Sequence, residues 1–244
     1  MNFFTDAILQ PVVTALIELT LWVALFATGK TAIGGFAREY YLAYALWTAF
    51  VARISVSWMY EFRMTEEVSS GSINGLLVRP LSFFEYYLSQ MMGYKVVTTF
   101  FSLMVPLIFA WIFDLPMQLS RAPLVLLLVF YHLLLVHILS FIVSTAAFHL
   151  NRIGSLTVAK NLSMWLLSGE LFPLDLLPEP YKTILIKLPF SSGVYIPVSY
   201  LTGRVPIDLV VQGFISNTVA IVFFGLIAIG MWRWGLSKYA GTGA

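Results

Sequence analysis

Long apolar runs separated by short polar ones dominate the chain, and their lengths decide what they can be. A helix needs about 20 mostly apolar residues to cross the hydrocarbon core of a bilayer. Six runs meet or approach that length, at roughly 8–27, 40–60, 86–113, 122–148, 156–172 and 209–232. The third and fourth are long enough to tilt or to run past the interface, and the fifth is the shortest. Connections at about 29–39, 114–121 and 149–155 are brief, so consecutive spans are expected to be antiparallel neighbours. The pattern predicts an all-α integral membrane protein with six transmembrane helices in one domain over residues 1–244, without an internal repeat or a low-complexity tract.

Two interruptions are patterned themselves. Residues 63–82 read RMTEEVSSGSINGLLVRPLS. A short helix from near Thr65 to near Pro80 is expected there, with Ile73, Leu76, Leu77 and Val78 as one apolar face flanked by Glu66, Glu67 and Arg79. A connector lying on the headgroups is the plain alternative. Against it, Gly71 and Gly75 are poor helix formers, and Glu66 and Glu67 would be repelled by an anionic leaflet. A docking handle for a soluble protein fits better. The second interruption, residues 168–206, carries Pro173, Pro178, Pro180, Pro189, Pro197 and Pro206, which forbid one continuous helix. It stays apolar at Ile184, Leu185, Ile186 and Leu188, so short re-entrant or interfacial helices are expected before the sixth span.

Composition agrees with the pattern. The chain is 59% hydrophobic and 11% charged, where a soluble domain carries about 25% charged residues. A net charge of +2 gives no reason to expect nucleic acid, and the absence of Cys excludes disulfides and thiolate chemistry. No signal-peptide pattern opens the sequence. With both termini inside, eight Lys and Arg, Arg152 and Lys160 among them, fall on the inner side and six, including Lys30 and Arg204, on the outer. That bias favours cytoplasmic termini in a cell inner membrane.

Catalytic chemistry finds little support. ALFATGKT at 24–31 approaches a phosphate loop, but it ends a membrane span with no preceding strand, and Gly29 reads as a helix cap. His132 and His137 are five apart, on different faces of a helix, and His149 is distant, so no metal site is expected. The ionisable residues inside spans weigh more, since each costs about 2.5–3.5 kcal/mol at mid-membrane. Glu18 and Arg53 lie at depths differing by about 5 Å, so the geometry allows an ion pair between them, lining a polar path or fixing the first two spans. His132 is a further candidate for the path.

Two stretches resemble a known family. EVSSGSINGLLVRPL at 67–81 resembles the segment after the second span in permease subunits of type-2 ABC exporters, and SGELFPLDLLP at 168–178 resembles the stretch after their fifth. The resemblance implies a half-transporter, in the branch of small permeases that work with a separate ATPase. Two permeases, identical or related, would form the path, and ABC ATPase subunits beneath would bind ATP and Mg, leaving this chain without a cofactor or catalytic residue. It also implies a coupling helix with Glu66, Glu67, Gly71, Ile73, Asn74, Leu76, Leu77, Arg79 and Pro80 at the partner surface. Gly169, Glu170, Phe172, Pro173 and Pro178 become an outer gate within the hairpin 168–206. Relatives usually begin with an amphipathic surface helix, for which only residues 1–7 stand before the first span here. The rival function is an ion-coupled secondary carrier in which Glu18 and His132 bind protons; a third is a membrane anchor for a soluble partner.

Overall fold

The computed structural model describes residues 4–29, 31–56, 58–150 and 153–239; Lys30 and Arg152, counted above for orientation, lie outside them. A wide helical turn at Thr5–Leu9 runs without a break into α1, Gln10–Ala27; Pro11 has no N–H to give the turn before it, and the Ala7 carbonyl there accepts from Ser102 Oγ at 2.5 Å. A two-residue antiparallel ribbon follows, Ala32–Ile33 against Phe36–Ala37, the one departure among the described residues from the all-α expectation. Then come α2, Arg38–Ser55, and α3, Trp58–Ser69. A single-turn α4, Asn74–Leu77, precedes α5, Phe83–Ile112, whose first turn is capped by Ser82 Oγ accepting from the Glu85 N–H at 3.4 Å. α6 spans Ala122–Thr145 and α7 Gly154–Ser168. α8, Tyr181–Lys187, and α9, Tyr195–Leu201, lead to α10, Ile207–Lys238, with Asp208 in its first turn and Lys238 in its last, both favourable to the helix dipole.

Five of these segments are long and apolar enough to cross a membrane: Ala7–Ala27, Arg38–Ser69, Phe83–Ile112, Leu119–Phe148 and Ile207–Lys238. Of the expected fifth span, 156–172, the helical part is the 15-residue α7, stopped by Gly169 in the left-handed conformation at φ +84°. Its length is about 22 Å. The second span also differs: its helical stretch continues to Ser69 and is broken after Ser55, where Val56 is extended.

The ends of the bundle follow from contacts. Arg121, just before α6, donates to the Val205 carbonyl just before α10, at 3.3 Å. Phe148, just past α6, packs its ring on Trp232 and Tyr239 at the far end of α10. α6 and α10 therefore run parallel, and the chain between them must return. α7 makes that return, from beside Phe148 to Gly169, whose carbonyl accepts from Tyr44 near the start of α2. One end of the bundle, the cap end, holds the ribbon and α9; the other, the turn end, holds residues 69–82.

α2 is the hub, buried around nearly its whole circumference, and Ala43, Ala45, Ala49 and Ala52 let its neighbours approach closely. α1 and α10 expose most of theirs, with Leu16, Ile17 and Leu21 on one and Val219, Val222 and Leu226 on the other. Short helices between α7 and α10 were expected at an interface. α8 fits that description with Tyr181 and Ile184 exposed, but α9 is wholly buried and contacts α2, α6 and α10.

Candidate functional site

At the turn end α3 does not continue through 65–80 as one helix. It stops at Ser69, and Gly71 reverses the chain at φ +77°, a conformation that side chains disfavour. Asn74 N–H then bonds the Gly71 carbonyl at 3.1 Å and α4 makes one turn. This resets which way each side chain points. Ile73 and Leu76, expected at a partner surface, are turned into the subunit with Met64 and Val68. Leu77, Val78 and Leu81 are exposed; Val78 is 84% open. Glu66, Gly75, Arg79 and Pro80 are exposed beside them, while Asn74 is half-buried. Glu67 turns back beside Tyr87. Tyr239, past the end of α10, donates to the Gly71 carbonyl at 3.4 Å and braces the turn from below. The result is a short projection, clamped from inside and apolar outside.

In the bundle, the polar groups of the spans gather near Glu170. Glu18 and Arg53 each have Glu170 as a charged neighbour, so the acid past α7 stands between the two residues that the sequence offered as a pair. Glu170 is half-buried there, with the Arg53 charge as its neighbour. The break in the second span is supported from α5: Lys95 Nζ donates to the Arg53 carbonyl at 2.6 Å, and Ser55 Oγ donates to the Gly193 carbonyl at 2.7 Å. His132 Nδ1 donates to Asn217 Oδ1 at 2.9 Å, a tautomer assigned because Asn217 Nδ2 is committed to the Gly213 carbonyl at 2.8 Å. Its Nε2 faces Gly193 and has no hydrogen-bond partner among the described residues. His132, Glu170, Ser55 and Gly193 line a cavity of about 20 Å³, room for one water. His137 instead bonds the Phe84 carbonyl.

At the cap end Gly169 is fixed by space as well as by conformation, since a Cβ there would lie 2.8 Å from Tyr195 Cβ and 3.0 Å from Tyr44 Oη. Pro173 is buried, Phe172 half-buried and Pro178 exposed. Asp175 accepts from Tyr40 at 3.0 Å and from Tyr195, and faces Arg204 at 3.7 Å. Arg204 in turn lies 3.1 Å over the Phe36 ring. Sequence reasoning missed this knot, whose members are scattered along the chain.

It also missed a buried ion pair. Glu61 on α3 is fully buried and pairs with Lys160 on α7, which also donates to Ser140 Oγ at 2.9 Å. Thr65 and Ser144 donate to the Glu61 carbonyl at 2.8 and 3.3 Å. The signal was present: an acid just past one apolar run and a lysine just inside another. The pair ties α3, which leads to the projecting turn, to α7, which leads to the cap.

Comparison with known families gives a match to a model described as ABC-2 family transporter protein, over residues 12–243. Neither a curated protein nor a solved structure matches the chain.

Proposed function

The chain belongs to the ABC-2 family of transporter proteins, a membrane subunit of an ABC transporter, and from that premise we propose that it is the permease half of an ATP-driven exporter. The family match favours the ATP-driven reading over an ion-coupled carrier built on Glu18 and His132. In our reading six crossings, α7 and the turns after it completing the fifth, place both termini in the cytoplasm of a cell bounded by this inner membrane. Parallel α6 and α10 support it, because the return between them runs the length of the bundle.

The observation that carries the proposal is the projecting turn. A pump whose ATPase is a separate protein must pass force from soluble subunits into helices held in lipid. A projection clamped by Ile73 and Leu76, braced by Tyr239 and continuous with α3 suits that task, because rigid bodies transmit motion. Leu77, Val78, Leu81, Glu66 and Arg79 form the contact surface, and ATP and Mg bind in the partner ATPase. A second permease, the same or related, completes the path, with Glu18, Arg53, Glu170 and His132 as its polar lining and 169–178 as the outer gate. Leu77→Asp, in the complex co-expressed with its ATPase, is expected to abolish co-purification or to leave ATP hydrolysis no longer stimulated by substrate. Normal assembly and stimulation in that variant would defeat the docking role.

A further inference from the structure

Beside the projecting turn an open groove of about 640 Å³ runs between the start of α5, α6 and α10. Phe84, Leu134, Ile221 and Trp232 form its walls, and Leu77 of the turn contributes to one end. Along α10 the lining runs from Ile221 to Leu236, about 22 Å of helix. That is about half of the 40–45 Å thickness of a bilayer with its headgroups, the depth of one leaflet. Among the described residues lining the groove, Arg233 is the one with a charge, and it is exposed beside the Ser82 end. Ser82 Oγ accepts from the Glu85 N–H, which leaves its own hydrogen free to donate. Gly225 opens on the groove with nothing within 4 Å of where its Cβ would stand.

We propose that this groove is a binding site for an anionic phospholipid of the leaflet on the turn end. Acyl chains lie along Leu134, Ile221 and Trp232, and the headgroup phosphate meets the Arg233 guanidinium and the Ser82 hydroxyl. A trough at this depth lies in hydrocarbon, where lipid chains fill it at no cost in exposed polar groups. A single cation at its interfacial mouth selects the headgroup, as basic pockets between membrane helices do. The site does not depend on the proposed transport function. It does place a lipid against Leu77, so the leaflet's composition reaches the projecting turn.

The test uses the full-length protein, with whatever partners co-purify, in phosphatidylcholine vesicles containing brominated phosphatidylglycerol or brominated phosphatidylcholine as quencher. The difference between wild type and Trp232→Phe isolates the fluorescence of Trp232 from that of the exposed Trp234. Brominated phosphatidylglycerol is expected to quench Trp232 at about fivefold lower mole fraction than brominated phosphatidylcholine. Arg233→Gln should equalise the two lipids and Arg233→Lys should keep the preference. Gly225→Leu, which fills the groove without touching its packed walls, should remove the quenching by both. Equal quenching by both lipids in the wild type overturns the headgroup site. A Trp232 that neither lipid quenches overturns the proposal altogether and means that another protein surface covers the groove.

Discussion

Glu61 is fully buried among the helices and pairs with Lys160 on α7. Lys160→Met strands a buried carboxylate and should cost about 3–5 kcal/mol, most of it recovered in Glu61→Gln/Lys160→Met. Denaturation in mixed micelles would measure both. Glu18, Arg53 and His132 were legible in the sequence because an ionisable residue inside an apolar run stands out. Asp175 was not, because its partners Tyr40 and Tyr195 lie 135 and 20 residues away and only the fold brings them to it.

Hydropathy placed α6 to within three residues, 122–148 against Ala122–Thr145, while α10 starts two residues before the expected 209 and runs six beyond the expected 232. It failed where backbone geometry decides. The break after Ser55 has no Pro or Gly to announce it; Lys95 satisfies the Arg53 carbonyl beside it, and Ser55 satisfies the distant Gly193 carbonyl. The direction of Ile73 and Leu76 depends on how far Gly71 turns the chain, which no periodicity encodes. α7 is short because Gly169 ends it, and here the sequence carried the signal without its consequence. Gly169→Ala would hold a side chain at φ +84° and press its Cβ on Tyr195. It should cost about 2 kcal/mol or more in thermal stability. Retained wild-type stability would mean that the cap end is more yielding than its packing suggests.

Taken whole, the molecule is a bundle with two worked ends joined by the tie from α3 to α7. At the cap end α9, the Asp175 knot and Gly169 close the bundle. At the turn end a small clamped projection stands out, with Val78 its most exposed side chain. The Glu61–Lys160 pair couples the helix that bears the projection to the helix that reaches the cap. In the function proposed above, this pair is the mechanical link between a partner at the turn end and a gate at the cap end, and that proposal requires the projection to face the ATPase. The chain lacks cysteine, so a single Val78→Cys reports its position cleanly. Labelled with a membrane-impermeant maleimide, Val78→Cys should react in inside-out vesicles, resist reaction in right-side-out cells, and be protected when the ATPase is bound. Labelling from the outer face of intact cells would contradict the account.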